Sequence, residues 1–148
     1  MAIVRPDAWN FPLLVHVLGA MLLVGALILA ATALVLAWRG GSVALLRLGY
    51  RALLFGAVPA WILMRVGAQW IADKENLPDA TWLGIGYGTG DGGIVFIVVA
   101  TLLVALARRR AARAERAGAG LGRASAALVG ILLVAYVVTI WAMTKKPL

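Results

Sequence analysis

The residues that could do chemistry are few, and they lie within or beside long apolar segments. The one histidine, His16, falls in the first segment, and Arg65 interrupts the second. Asp91 precedes the third segment, and Tyr136 lies in the fourth. An imidazole can carry a proton or bind a ligand, and a guanidinium can hold an anion or a counter-ion. These side chains predict an outward-facing polar pocket or, alternatively, a structural layer in which His16 bonds a neighbouring carbonyl.

Arg65 is the residue with the strongest need of a partner. A charged side chain inside an apolar segment is costly, so it normally faces the interior of a bundle and pairs there. Gln69 lies one helical turn beyond Arg65 on the same face. We expect Arg65 to pair with Asp91, and Glu75 and Asp73 are the alternatives. The candidate binding residues are therefore His16, Arg65, Gln69, Asp91 and Tyr136.

Catalysis and metal binding find little support in the composition. The chain has no cysteine and one histidine, whereas zinc and copper sites need three or four ligands. Haem with two histidine ligands would need His16 from two copies. No pair of carboxylates shares a helix at depth, and no Ser-His-acid set is evident. The prediction is a protein that is not an enzyme, with no metal and no cofactor.

The segment 83–91 is rich in glycine and contains Gly86-Tyr87-Gly88. That tripeptide is similar to the potassium-channel filter, in which carbonyl oxygens replace the hydration shell of the ion. The threonine of that filter is absent here, and Pro78 interrupts the short polar stretch before it. No strand precedes the glycines, so a dinucleotide-binding loop fits even less well. We interpret the segment as a solvent-facing flexible turn.

Four long apolar segments must position these residues. They cover residues 11–38, 45–71, 92–108 and 124–143 of a chain of 148 residues, 64% of which are hydrophobic. A helix of about 20 apolar residues crosses the hydrocarbon layer. The first segment is about twice as long as the apolar region of a signal peptide, so we interpret it as an uncleaved helix. The prediction is an all-α polytopic membrane protein, a four-transmembrane-helix bundle forming one domain over residues 1–148.

Two local features break or bend these helices. Gly40-Gly41-Ser42 follows Trp38 and predicts the end of the first helix. Pro59 lies within the second segment and predicts a kink there, because proline lacks the backbone N–H that a helix interior uses.

The distribution of charge predicts the orientation. The chain carries 14 basic and 6 acidic residues, a net charge of +8. The connection after the third segment holds six arginines and one glutamate, whereas the connection after the second holds one lysine and four acids. Basic loops stay in the cytoplasm, which predicts both termini outside, with Lys145 and Lys146 opposing this orientation. The basic residues therefore indicate topology and anionic lipid rather than nucleic acid.

Small residues recur at helical spacing and predict close helix packing. The first segment carries Gly19, Ala26, Ala30, Ala33 and Ala37, and the fourth carries Ala126 and Gly130. Small side chains let helices approach closely in lipid, where the hydrophobic drive is absent. The spacing predicts packing without separating contacts inside the chain from contacts with another chain.

Three stretches resemble a known group of proteins: residues 14–20, LVHVLGA, residues 59–70, PAWILMRVGAQW, and residues 141–144, WAMT. With them the chain resembles uncharacterised small four-helix membrane proteins of high-GC bacteria, over most of its length. The first stretch is also similar to the start of copper-resistance-D-like membrane proteins. This resemblance implies the architecture and a bacterial inner membrane. It implies no copper ligand set, because the further histidines and the methionine clusters are missing.

Two classes of function follow from the sequence. The first is an accessory or structural membrane subunit without catalysis, which self-associates or joins a larger complex. The second is a small carrier or binding protein that uses a polar pocket around His16 and Arg65. A bundle whose polar groups are consumed by internal contacts favours the first class, and a water-accessible cavity that reaches Arg65 favours the second.

Overall fold

The computed structural model describes residues 10–75, 81–114 and 119–144, and these residues are helical apart from a two-residue break. Pro78, Lys145 and Lys146, which entered the predictions above, lie outside the described residues. The elements are α1 (Asn10–Gly40), α2 (Val43–Arg51), a π-helical segment (Ala52–Ala57), α3 (Val58–Glu75), α4 (Thr81–Ala114) and α5 (Ala119–Thr144).

Within the residues that the structure describes, four segments are long and apolar enough to cross a membrane, and we call them the first to fourth spans. They are Phe11–Gly40, Val43–Asp73, Gly86–Arg113 and Gly120–Trp141. The second span joins α2, the π-helical segment and most of α3. The predicted fold class, an all-α bundle of four such helices, is confirmed.

The spans are arranged so that each one packs against its neighbours in sequence. The first span lies between the second and the fourth, and α4 packs mainly against α5. Contacts between α4 and the second span are denser along the short α2 than along the longer α3. The helices α3 and α4 are therefore joined less by close packing than by the side chains that bridge them.

Small and aliphatic residues form the core, as the spacing predicted. Ala30, Ala33 and Ala37 of α1 are buried, and Ala26 lies against Gly56 of the second span. Ala126 of α5 is buried, whereas a Cβ added at Gly130 would meet nothing within 4 Å. The predicted packing role is thus confirmed on α1, and on α5 for Ala126 alone.

The closest approach in the bundle is the crossing of α1 and α3. A Cβ added to Gly19 would lie 2.7 Å from the Cα of Met64, and one added to Gly67 would lie 2.7 Å from the Cα of His16. Real Cβ atoms do not come so close to backbone atoms. Each helix therefore contributes one glycine that admits the backbone of the other helix, an arrangement typical of membrane helices.

The predicted helix break is confirmed at Gly41, and a π-helical segment lies just before Pro59, where a kink was predicted. Gly41 adopts a φ of +65°, which glycine reaches without strain, and the Ser42 hydroxyl accepts a hydrogen bond from the Leu45 N–H at 3.4 Å. Near Pro59 the helix continues, and the disturbance takes the form of the π-helical segment just before it, where the Val58 N–H donates to the Leu53 carbonyl. A π-helical turn is one way in which a helix accommodates a missing N–H.

The prediction of a turn over residues 83–91 was wrong. Helix α4 begins at Thr81 and runs through every one of these glycines, so the third helix starts well before residue 92. Glycine lowers helix stability by about 1 kcal/mol relative to alanine. That penalty is outweighed here because side chains from α3 and α5 hold this part of α4.

Candidate functional site

Polar side chains of α3 and α4 form a connected chain at one end of the bundle. The Arg65 Nε donates to the Asp91 carboxylate at 2.7 Å, and the Arg65 Nη1 donates to the Gln69 side-chain oxygen at 3.0 Å. The Gln69 amide in turn donates to the Asp73 carboxylate at 2.9 Å. The predicted pairing of Arg65 with Asp91 is confirmed. The side chain of Glu75, one of the alternatives, lies outside the described residues.

Two further contacts attach α4 to α3 in the same region. The guanidinium of Arg65 lies over the Tyr87 ring, 4.7 Å from its centroid, a cation–π geometry. The indole N–H of Trp61 donates to the Gly90 carbonyl at 2.6 Å. Residues Tyr87 and Asp91 are four apart on a helix and present one face to Arg65, which is possible only because the glycine-rich segment is helical.

His16 lies at the crossing of α1 and α3, and its side chain contacts α3 there. Its Nδ1 is 2.9 Å from the Met64 carbonyl oxygen, and because a carbonyl can only accept, the Nδ1–H is the donor. The same crossing contains Gly67, against whose backbone His16 packs. The structure therefore places His16 in the hydrogen bond expected for a structural histidine, apart from the Arg65 chain of contacts.

Tyr136 and Thr139 bring α5 into the same end of the bundle. The Thr139 hydroxyl donates to the Ala135 carbonyl at 2.9 Å and lies 3.1 Å from the Thr89 hydroxyl of α4. Tyr136 is buried, and its hydroxyl packs where a side chain on Gly93 would lie. Within the described residues this hydroxyl has no hydrogen-bond partner. Among the fully buried side-chain oxygens and nitrogens of the described residues, it is the atom left without a partner.

The layer formed by these residues, which we call the polar layer, is built from all four spans. It comprises His16, Trp61, Arg65, Gln69, Asp73, Tyr87, Thr89, Asp91, Tyr136 and Thr139. Sequence reasoning missed the roles of Trp61 and Tyr87. Tyr87 lies four residues before Asp91, and on a helix this spacing puts both residues on one face. Because residues 83–91 were predicted to form a turn, the spacing did not indicate a shared face. Nothing in the sequence pointed to the bond of Trp61 with a backbone carbonyl.

No protein-family model, no curated protein and no solved structure matches the chain. The resemblance to small four-helix bacterial membrane proteins and to copper-resistance-D-like proteins thus stays a prediction. In residues 10–75, 81–114 and 119–144, no group of three potential metal-ligating side chains is close enough to hold an ion.

Proposed function

We propose that the chain is a non-catalytic integral membrane subunit of the bacterial inner membrane, which acts by associating with a second transmembrane chain. The observation that carries this proposal is the use of the polar layer for internal contacts. Arg65 is neutralised by Asp91, Gln69 bridges to Asp73, and His16 is bound to the Met64 carbonyl. Groups that satisfy one another between helices stabilise a bundle and leave little chemistry for a substrate.

The outer surface of α4 supports association. Gly84, Gly88 and Gly92 recur every four residues, and a Cβ added to any of them would meet nothing within 4 Å. Each of these glycines lowers the stability of α4 relative to alanine. Within the described residues, no close contact with another helix at these positions offsets that loss. A second helix that packs against this face would recover that loss through close backbone contact. A second copy of the chain is the first partner to test, and a larger membrane complex is the alternative.

Association is tested with two differently tagged copies of the chain expressed together. We expect the copies to co-purify in mild detergent, and Gly88→Leu to reduce that co-purification at least tenfold, because the added side chain blocks close approach. Gly25→Leu on α1 is the matched control, since Gly25 also has open space around it. Equal retention by the two variants would contradict the proposed face, and failure of wild-type copies to associate would contradict self-association.

The orientation remains part of the proposal, with both termini outside. Its support is the segregation of charge: the eight described arginines other than Arg65 lie toward the opposite end of the spans from Asp73 and Asp91. Basic residues remain on the cytoplasmic side. Reporter fusions at Leu148 and at Gly118 are expected to mark the outside and the inside of the cell, respectively. A C-terminal fusion that reports the cytoplasm would reverse the assignment.

A small carrier or binding protein is the second candidate, and the Tyr136 hydroxyl favours it. A buried hydroxyl without a partner costs roughly 1–3 kcal/mol, and such a group at the polar layer is suited to a ligand. Arg65, Gln69 and Asp91 would then contact the ligand from the open side, since all three are partly or fully exposed. In this case Arg65→Gln would abolish stabilisation by a ligand and leave the fold intact.

A further inference from the structure

The end of the bundle opposite the polar layer carries a concentration of arginines, which we call the arginine end. It comprises Arg39, Arg47, Arg51, Arg108, Arg109, Arg110, Arg113 and Arg123. Among the described residues, no carboxylate forms an ion pair with any of them. Each guanidinium has five N–H donors and cannot lose its charge. These donors therefore need an acceptor from outside the described part of the chain.

Three of these arginines lie about one hydrocarbon thickness along their helices from residues at the opposite end of the bundle. Arg51 lies 19 residues before Trp70, and Arg123 lies 18 residues before Trp141. These separations correspond to about 28 Å and about 27 Å along a helix, close to the hydrocarbon thickness of about 30 Å. Trp70 and Trp141 are suited to the opposite interface. Arg108 lies 19 residues beyond Thr89, the residue that contacts α5 at that opposite end.

One arginine of the arginine end, Arg108, is held by an aromatic ring close to two further arginines. The guanidinium of Arg108 on α4 lies 4.6 Å from the centroid of the Tyr50 ring on α2. Arg47 is three residues before Tyr50 on the same helix, and Arg51 follows it directly, and both are exposed. One guanidinium thus lies on the ring where α2 and α4 pack together, and Arg47 and Arg51, which share a face of α2 at a spacing of four, lie within one helical turn of that ring in sequence. A charge already positioned on a ring loses less conformational freedom when it binds an anion.

We propose that Arg47, Arg51 and Arg108 around Tyr50 form a binding site for the headgroup of an anionic phospholipid. The phosphate accepts hydrogen bonds from the guanidinium groups, for which planar paired donors are suited. Basic pockets between transmembrane helices bind such headgroups. The acyl chains would lie along the apolar surface of the second and third spans, where Phe55 and Leu102 are exposed. This site is independent of the glycine face of α4 and of the orientation of the chain.

The test is native mass spectrometry of the purified full-length chain, titrated separately with phosphatidylglycerol and with phosphatidylcholine of the same acyl chains. We expect phosphatidylglycerol to bind at least tenfold more tightly. Arg108→Gln is expected to weaken that binding about fivefold, the effect of one basic residue near a lipid surface. Tyr50→Leu is expected to weaken it as well, although it changes no charge, whereas Tyr50→Phe keeps the ring and the affinity.

Arg39→Gln is the charge-matched control, because Arg39 lies at the same end, on the last turn of α1, and contacts no aromatic ring among the described residues. An equal loss for Arg39→Gln and Arg108→Gln would show a diffuse field and overturn the site. Equal binding of the two lipids, or displacement of phosphatidylglycerol by millimolar inorganic phosphate, would also overturn it. Arg47→Gln, at an exposed position, provides the same measurement if Arg108→Gln fails to fold.

Discussion

Gly19→Ala and Gly67→Ala are each expected to destabilise the bundle by about 1–3 kcal/mol, the cost of inserting a methyl group into a packed interior. At both positions the new Cβ would overlap the backbone of the partner helix, and a backbone cannot rotate away as a side chain can. The helices α1 and α3 would have to move apart, which also lengthens the hydrogen bond between His16 and the Met64 carbonyl. The measurement is reversible unfolding in mixed detergent micelles, followed by circular dichroism.

Gly25→Ala is the control for this experiment. Gly25 is exposed on α1 and has nothing within 4 Å of an added Cβ. Alanine is better than glycine in a helix interior by about 1 kcal/mol, so this variant is expected to be neutral or slightly more stable. The double variant Gly19→Ala with Gly67→Ala is expected to lose less than the sum of the two, because one displacement of α1 relieves both overlaps. Equal stability of all three single variants would contradict the proposed close contact.

The extent of the four helices was largely predictable, and the reasons are physical. A continuous apolar segment of spanning length has few alternatives to a helix, because every backbone group must be bonded within the segment. The sequence indicated the break at Gly41 because glycine alone reaches a positive φ without strain. It did not indicate that residues 83–91 are helical. Their local preference is for a turn, and the contacts that override it come from Trp61, Arg65 and Thr139 on other helices.

The contacts of the candidate site that follow from the need of a charged or polar group for a partner were predictable from the sequence. The contacts that depend on how two helices pack against each other were not. An arginine inside an apolar segment needs an acceptor, and Asp91 was the acid nearest in depth. The hydrogen bond of His16 also followed from the need to satisfy a polar group, although its partner, Met64, could not be named. The burial of the Tyr136 hydroxyl without a partner depends on how α5 lies against Gly93. The sequences of α4 and α5 do not indicate how closely these two helices approach at this point.

Asp91→Asn is expected to destabilise the bundle more than Arg65→Gln does. Arg65 lies five residues before Trp70, about 7 Å along the helix, and its side chain is 26% exposed, whereas that of Asp91 is 56% exposed. An unpaired guanidinium cannot lose its charge, and a charge at a helix centre costs about 2.5–3.5 kcal/mol, less toward the interface. Asp91→Asn leaves that charge with neutral partners, the amide oxygens of Asn and Gln69 and the Tyr87 ring, and with no counter-charge. Removing Arg65 leaves a carboxylate that solvent reaches.

The double-mutant cycle of these two substitutions separates the two proposed functions. If Arg65 and Asp91 hold α3 to α4, we expect a coupling free energy of about 1–2 kcal/mol, with the double variant more stable than Asp91→Asn alone. Asp73→Asn is the control, because Asp73 bonds Gln69 and not Arg65, and its effect is expected to be smaller than that of Asp91→Asn. Stability unchanged in Arg65→Gln and in Asp91→Asn would contradict the structural role of the pair. The polar layer would then be free to serve a ligand, and the unsatisfied Tyr136 hydroxyl would mark where that ligand enters the bundle.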